Sequence, residues 1–308
     1  MSPLPKERVL GLVWAATAVA IWSGSLVMLR LGVTTSLNAY DLTALRVGVA
    51  ALVLAPVICR RGFALDRLGA RGLLAMVAGF GAPYILLISL GLGTAPASAA
   101  GSLNPGVMAV VSVLLGWRLF GDRIGPARIA GVVAILVGAS FFAGLLGAQT
   151  ASVGHLILIF TGMMWAGYTL VVRRAGIPAL HATAIVAVGS AILYLPVYVA
   201  ALPTQLPVAP VPDIVMQAVF QGVLVSVVAV FAFNRSSELL GPVVGATLPA
   251  LIPLVTLGLG VVALDEAAGA RDLASATLIG VGVALTLAGH APGRWPGAAL
   301  FKRVFRDA

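Results

Sequence analysis

Ten apolar runs, each about as long as a bilayer-spanning helix, follow one another along the chain with short polar connections between them. A transmembrane α-helix needs about 20 consecutive apolar residues. The runs cover residues 9–31, 41–59, 72–92, 94–116, 127–146, 153–172, 182–202, 214–234, 242–264 and 273–289. Only 9% of the residues are charged, against roughly 25% in soluble domains. The sequence therefore predicts an all-α integral membrane protein with ten transmembrane helices, which we number helix 1 to helix 10.

The composition argues against several other classes of protein. Cys59 is the only cysteine, so the chain forms no internal disulfide and no multi-cysteine metal site. A formal charge of +9 would suggest nucleic-acid binding in a soluble protein, but cytoplasmic loops of membrane proteins are also rich in Lys and Arg. We therefore expect no nucleic-acid partner. Lys6 and Arg8 precede the first run as in a signal peptide, but the run is too long and lacks a cleavage site, so it is expected to remain as helix 1.

The loop charges predict the orientation of the helices. With a cytoplasmic amino terminus, most Lys and Arg residues fall on the cytoplasmic side. The opposite loops hold carboxylates instead, namely Asp41, Asp213, Asp265, Glu266 and Asp272. This asymmetry is the one expected when positive charge stays inside, and it places both termini in the cytoplasm.

The two halves of the sequence repeat. At an offset of 143, Trp22, Gly24 and Arg30 fall on Trp165, Gly167 and Arg173, and at 144, Gly101, Pro105 and Asp122 fall on Gly245, Pro249 and Glu266. Residues 1–148 and 149–293 are therefore predicted to be two five-helix repeats, followed by a basic cytoplasmic tail at 294–308. Five is an odd number, so the second repeat must insert upside down. Inverted repeats are typical of secondary transporters, whose substrate sites lie near the bilayer midplane.

Several stretches resemble a known family. They are IWSGSLVMLRLG (21–32), YDLTALRVGVAALVLAPV (40–57), LGLGTAPASAAGSLNPGVMAVVSVLLGWRLFGDRIG (90–125), MMWAGYTLVVRR (163–174) and SELLGPVVGATLPALIPLV (237–255). The sequence is similar to the drug/metabolite transporter superfamily with tandem EamA-type repeats, and within it to bacterial exporters of amino acids, including aromatic ones. The resemblance implies ten helices in two inverted repeats, export or exchange of small metabolites, and a bacterial inner membrane. In one departure, the acidic residue after helix 4 is Asp122, where the family usually has Glu.

Aromatic residues in the middle of helices are the first candidates for a substrate site. Trp22 and Trp165 lie midway along helices 1 and 6, away from the headgroup level where tryptophan is usually enriched. Tyr168 is one turn beyond Trp165, and Tyr84 lies deep in helix 3. Each is interpreted either as lining a central cavity or as packing in the core.

Prolines and buried amides form the second group of candidates. Pro83, Pro105, Pro249 and Pro253 are predicted to break helices, because proline removes a backbone hydrogen bond, and such breaks serve gating. Asn104 precedes Pro105, and Ser102 is close to it in helix 4. An unpaired amide in the bilayer core is costly. Asn104 is therefore expected either to bond a neighbouring helix or to contact the ligand.

Arg46 lies five residues into the apolar run of helix 2. Its guanidinium either extends outward towards Asp41 or faces inward and binds a substrate carboxylate. Further polar candidates for the substrate site are Gln221, Asn234 and Thr247.

No Asp, Glu or His falls deep in a predicted span, so the sequence offers no evident intramembrane proton site. We expect an exporter of small neutral metabolites, foremost aromatic or other neutral amino acids, that works by alternating access around a neutral cavity. The alternative is an efflux carrier for lipophilic drugs or other metabolites. No catalytic motif is present, so an enzyme, a metal site and a cofactor are not expected. The expected partners are the small-molecule substrate and the lipid bilayer, with the chain a monomer or weak dimer.

Overall fold

The computed structural model describes residues 6–142, 152–240 and 248–288, and within these residues the chain is helical and contains no strand. In the first repeat, helix 1 is Lys6–Thr34, helix 2 is Ala39–Arg61, helix 3 is Leu65–Phe80 with Ala82–Thr94, helix 4 is Ala97–Phe120 and helix 5 is Pro126–Phe142. In the second repeat, helix 6 is Val153–Ala175, helix 7 is Ala179–Ala201 and helix 8 is Val211–Gln217 continued by Ala218–Val228 and Ala229–Leu240. Helix 9 is Leu248–Leu251 with Ile252–Leu264, and helix 10 is Ala270–Ala288. Eight are long and apolar enough to cross a bilayer, and helices 5 and 9 are shorter apolar helices. The predicted ten-helix fold is confirmed.

The helices extend beyond most of the apolar runs that predicted them. Helix 2 begins two residues before its run because Asn38 caps it: the backbone N–H of Asp41 donates to Asn38 Oδ1 at 2.9 Å, and the N–H of Asn38 donates to Asp41 Oδ2 at 3.2 Å. The predicted start of helix 4 at Thr94 is wrong, since Thr94 ends helix 3 and helix 4 begins at Ala97. Hydropathy marks the hydrocarbon layer, whereas caps decide where a helix ends.

Helices of one repeat pack mainly on helices of the other. Helix 1 packs on helices 8 and 9, and its repeat counterpart, helix 6, packs on the equivalent helices 3 and 4. Helix 2 packs on helix 7, and helix 5 on helix 10. The interior between the repeats is therefore lined by residues that lie far apart in the sequence.

Helices 1 and 6 run in opposite directions, as the odd number of helices per repeat predicts. The end of helix 1 lies at the start of helix 4, since Glu266 contacts both Arg30 and the backbone N–H of Ala97. The end of helix 6 lies at the opposite end of helix 4, where Arg173 pairs with Asp122. Helix 4 has 24 residues, which separates these points by about 36 Å. The repeats are inverted.

Glycine allows a close contact between helix 5 of the first repeat and helix 10 of the second. A Cβ atom on Gly131 in helix 5 would lie 2.6 Å from the carbonyl oxygen of Gly282 in helix 10, and a Cβ on Gly282 would lie 2.6 Å from that of Gly131. Helices in lipid associate through such close packing, because no hydrophobic force drives them together there.

Helix 3 is interrupted near Pro83, one of the predicted helix breaks. Gly81 has φ −95° and ψ −145°, outside the helical region. The freed N–H of Ala82 donates to Ser190 Oγ of helix 7 at 3.0 Å. A Cβ on Gly81 would collide with that oxygen, so this contact requires glycine. Pro83 then occupies the first turn of the second half, where its missing N–H has no helical partner to lose.

The other three prolines differ from one another. Helix 4 continues through Pro105, which is buried among protein atoms, so the predicted break is absent there. Pro249 lies in the 3₁₀ turn Leu248–Leu251 that opens the described part of helix 9, and Pro253 lies in the first turn of its α-helical part. Helix 9 therefore changes its winding at the proline pair, whereas helix 4 does not.

Candidate functional site

Four aromatic rings from helices 3 and 6 form a cluster that we call the aromatic cluster: Phe80, Tyr84, Trp165 and Tyr168. The Phe80 ring is central, with centroid distances of 4.8 Å to Tyr84, 5.5 Å to Trp165 and 4.8 Å to Tyr168, on which it stacks at 13°. Three of the four were candidates from the sequence. Phe80 was missed, although it lies one helical turn before Tyr84 and directly precedes the break at Gly81.

Trp22 lies apart from this cluster. Its ring is 5.3 Å from that of Phe233 in helix 8, and it packs against the buried residues Ala15, Val19 and Ile252. Trp22 and Trp165 are both half-buried. The structure therefore places the two repeat-related tryptophans, both candidates for lining a central cavity, in separate hydrophobic clusters.

Asn104 joins three helices through hydrogen bonds. Tyr84 Oη of helix 3 donates to Asn104 Oδ1 at 3.0 Å, and Asn104 Nδ2 donates to Thr161 Oγ1 of helix 6 at 2.8 Å. Helix 6 can approach because Gly162 faces Asn104: a Cβ there would lie 2.8 Å from the Asn104 carbonyl oxygen. The interhelical bond, one of the two alternatives predicted for Asn104, is present. Thr161 was not identified from the sequence.

Replacement of Asn104 by leucine should lower the free energy of unfolding by about 1–3 kcal/mol, the cost of leaving a buried hydrogen-bonding group without its partner. The hydroxyls of Tyr84 and Thr161 would lose their bonds to Asn104. Ser102 provides a matched control in the same helix. Its hydroxyl is fully buried and has no hydrogen-bond partner among the described residues, so Ser102→Ala should change stability little. Chemical denaturation in detergent measures both variants. Equal stability of Asn104→Leu and the parent protein would show that the network contributes nothing.

Gln221 links helix 8 to helix 1. Ser25 Oγ donates to Gln221 Oε1 at 2.9 Å, and Gln221 Nε2 donates to the Ser25 carbonyl at 3.0 Å. Gln221 belongs to a π-helical segment, Ala218–Val228, and π-helical turns occur frequently at functional sites. Arg46 Nη1 also approaches Gln221 Oε1, at 3.5 Å.

Arg46 does not pair with Asp41, the partner expected if the guanidinium extended outward. The fully buried Asp41 carboxylate instead accepts hydrogen bonds from Tyr198 Oη at 2.6 Å, Thr204 Oγ1 at 2.8 Å and the backbone N–H of Gln205 at 3.0 Å. These bonds tie the start of helix 2 to the end of helix 7 and the loop after it. Asp41 is a structural anchor, and Arg46 remains directed at the interior.

Two ion pairs occupy equivalent positions in the two repeats. Arg173 donates to both carboxylate oxygens of Asp122, at 2.7 and 2.9 Å, at the predicted cytoplasmic end. Arg30 lies 3.7 Å from Glu266 at the opposite end. The repeat offsets relate the two arginines and the two carboxylates to each other. We call them the inner pair and the outer pair.

The surroundings of the two pairs are also equivalent. The backbone N–H of Asp122 donates to the Gly116 carbonyl at 3.2 Å, and that of Glu266 donates to the Gly260 carbonyl at 3.2 Å. A Cβ on Gly116 would lie 2.8 Å from Asp122 Oδ2, and one on Gly260 would lie 2.7 Å from Glu266 Oε2. Asp122 has a shorter side chain than its counterpart Glu266 but still binds both terminal nitrogens of the Arg173 guanidinium.

Two cavities lie at the outer end of the bundle. One of about 160 Å³ is lined by Gly32, Ser36, Asp213 and Gln217 among others. The second, of about 320 Å³, is lined by Arg30 and Glu266 together with neighbouring residues of helices 1 and 9. Among the described residues, none of the site residues predicted from the sequence lines either of these two cavities.

Two predicted site residues remain. Asn234 is half-buried in helix 8, and Thr247 lies outside the described residues. Within the described parts of the chain, no group of three His, Cys, Asp or Glu side chains is arranged to hold a metal ion.

The chain is similar to known proteins in sequence and in fold. The profile of the EamA-like transporter family matches it twice, at residues 9–144 and 152–288. Among 12 matching chains of solved structures, one, described only as the crystal structure of a protein, has a TM-score of 0.60 and 22% sequence identity over 96% of this chain and 98% of that chain. This second likeness concerns the fold alone. No curated protein matches the chain.

Proposed function

The chain belongs to the EamA-like transporter family, and from this we propose that it exports small neutral metabolites, foremost aromatic or other neutral amino acids, by alternating access. A membrane transporter of small molecules follows from the family. The substrate class, the outward direction and the bacterial inner membrane are the parts that we add.

The inner and outer pairs are the observation that carries the proposal of alternating access. An alternating-access carrier must close each end of its pathway in turn, and inverted repeats provide two equivalent closures on opposite sides. The bidentate inner pair has the stronger geometry, with distances of 2.7 and 2.9 Å. The outer pair has one contact of 3.7 Å and borders the 320 Å³ cavity. This difference supports a conformer that is locked at its inner end and looser at its outer end.

The aromatic cluster supports a substrate with an apolar side. Its rings present flat faces on which an aliphatic or aromatic side chain can pack, and rings also attract ammonium groups. Among the described residues, the ring contacts of the cluster and the hydrogen bond of Tyr84 involve no Asp, Glu or His. The cluster therefore suits neutral or zwitterionic solutes better than polyanions.

Exchange of labelled amino acids in proteoliposomes tests this function. Vesicles containing the protein and preloaded with threonine, methionine or phenylalanine should exchange the labelled amino acid faster than protein-free vesicles. Trp165→Ala should lower exchange about tenfold or more, because it removes one ring of the aromatic cluster. Trp117→Ala is the matched control: this tryptophan is exposed near the inner end of helix 4, and its loss should leave exchange unchanged.

Exchange should continue when the pH gradient is collapsed, because no carboxylate or histidine contacts the aromatic cluster among the described residues. If no neutral amino acid exchanges faster than in protein-free vesicles, the exporter proposal is wrong and the efflux of lipophilic compounds becomes the better alternative. If Trp165→Ala unfolds the protein, Trp165→Phe, which keeps a ring, separates loss of packing from loss of substrate contact.

A further inference from the structure

Arg46 is a cation inside the helical bundle without a carboxylate partner among the described residues. It is the eighth residue of helix 2, which places its Cα about 10 Å from the start of the helix. The nearest carboxylate along the chain, Asp41, is occupied by Tyr198, Thr204 and Gln205. Ionised side chains within a membrane span are costly and usually mark a functional site.

The hydrogen bonds of Arg46 are incomplete. A guanidinium has five N–H donors, yet among the described residues Arg46 makes one long contact of 3.5 Å, from Nη1 to Gln221 Oε1. That oxygen already accepts a shorter bond from Ser25 Oγ, at 2.9 Å. Arg46 is only half-buried, so a small molecule has access to its remaining donors.

Helix 8 packs closely on helix 2 at the level of Arg46. A Cβ on Gly222 would collide with Val49 of helix 2, so glycine permits the close approach of the two helices at this level. The π-helical winding at this level is accompanied by a bond from Ser226 Oγ to the Gln221 carbonyl at 3.1 Å. The fold thus holds the Gln221 amide next to the guanidinium.

The repeated fold does not itself require a cation at this position. The offsets of 143 and 144 relate Arg46 to Gly189 and Ser190 in helix 7. A Cβ on Gly189 would lie 2.8 Å from a Val77 methyl group, and Ser190 Oγ accepts a bond from the Ala82 N–H. Both counterparts serve helix packing. Arg46 therefore has no charged counterpart in the second repeat. Binding of a ligand can explain such a difference, because a single ligand does not share the twofold relation of the repeats.

We infer that Arg46, beside Gln221, binds the carboxylate of the transported molecule. A guanidinium matches a carboxylate with two parallel N–H···O bonds. Tyr84 belongs to the aromatic cluster and lies in the second half of helix 3, which packs on helix 2, the helix that carries Arg46. A zwitterion bound by Arg46 therefore extends its other end towards the rings. The inference deepens the proposed function and rests on it for the statement that the bound molecule is transported.

Ligand-induced thermal stabilisation of the detergent-purified protein tests this site. The probes are phenylalanine, phenylacetate, which keeps the carboxylate, and phenethylamine, which lacks it. Phenylalanine and phenylacetate should stabilise the parent protein, and phenethylamine should not. Arg46→Gln should weaken binding of both carboxylates by about tenfold to a hundredfold, the value of a charge-assisted hydrogen bond. Arg46→Lys should retain part of the affinity because it keeps the charge but loses the planar fork.

Arg67→Gln is the matched control, since it removes an arginine that is exposed outside the bundle interior and should not change binding. Melting temperatures without ligand show whether each variant folds. If Arg46→Gln does not fold, Arg46→Lys and the comparison of phenylacetate with phenethylamine decide the question.

The inference is overturned if neither carboxylate stabilises the parent protein, if phenethylamine stabilises it equally, or if folded Arg46→Gln binds carboxylates as the parent does. Amino-acid exchange that is undiminished in Arg46→Gln also overturns it, while the exporter proposal stands. Carboxylate binding that is lost in Arg46→Gln without any amino-acid exchange in vesicles supports this site and contradicts the proposed transport.

Discussion

The charge reversal Asp122→Arg should slow amino-acid exchange by about tenfold or more, and adding Arg173→Asp should restore most of the loss. The single change replaces two charge-assisted hydrogen bonds of 2.7 and 2.9 Å with two like charges. At an effective dielectric constant of 20, like charges 4 Å apart repel by about 4 kcal/mol. Because the side chains are partly exposed, we expect a smaller change, and about 1.4 kcal/mol already corresponds to tenfold. A carrier that cannot close its inner end populates one of its two states poorly.

Exchange in proteoliposomes measures this effect. Arg174→Asp, which changes the neighbouring exposed arginine of helix 6 by the same charge, should have little effect. Recovery in the double variant is the decisive result, because it identifies the interaction between the two side chains rather than either charge alone. An Asp122→Arg variant that exchanges normally, or a double variant without recovery, would remove the inner pair from the mechanism.

Reversing both charges of the outer pair should restore amino-acid exchange less completely than reversing both charges of the inner pair. Glu266 Oε1 also accepts a bond of 2.8 Å from the backbone N–H of Ala97, at the start of helix 4, and Arg30 donates to the carbonyl of Leu92. Reversing Arg30 and Glu266 restores their mutual attraction but breaks both backbone contacts. The two pairs are related by the repeat, but they are not interchangeable.

Gly131→Val should destabilise the protein by about 3 kcal/mol, the upper end of the usual cost of overpacking. The added Cβ would lie 2.6 Å from the carbonyl oxygen of Gly282 and 2.8 Å from Thr286 Cγ2. The nearest atom belongs to backbone, which cannot rotate away, so helices 5 and 10 must separate. These two helices make the most extensive helix–helix contact in the described part of the chain.

Gly258→Val is the matched control for this prediction. Gly258 lies in helix 9 and is exposed, and no described atom outside its own helix lies within 4 Å of the position that a Cβ would occupy. Both changes carry the same helix-propensity difference between glycine and valine, so only the contact between helices distinguishes them. Melting temperature and the monodisperse fraction on size-exclusion chromatography should fall in Gly131→Val alone. Similar melting temperatures in the two variants would contradict the role of this crossing.

The sequence singled out three of the four rings of the aromatic cluster but not the contacts that bring them together. Trp165 and Tyr168 lie one turn apart and share a face of helix 6, whereas Tyr84 of helix 3 is joined to them through the Phe80 ring. Phe80, the ring that joins them, was missed, since its importance comes from the break at Gly81. Trp22 and Trp165 were both candidates because they lie midway along their helices, but equivalent positions in inverted repeats need not meet.

The order of residues along the chain determined the number of helices, the two repeats and their inversion. These follow from the length of apolar runs, from a fixed offset and from an odd helix count, all of which are local or periodic properties. Tertiary structure alone decided the partners of the polar side chains. Ser25 and Gln221 are 196 residues apart, Asp41 and Tyr198 are 157 apart, and their meeting depends on how each helix rotates and how closely glycine lets it approach. No local pattern encodes that rotation, because it is set by the packing of all ten helices at once.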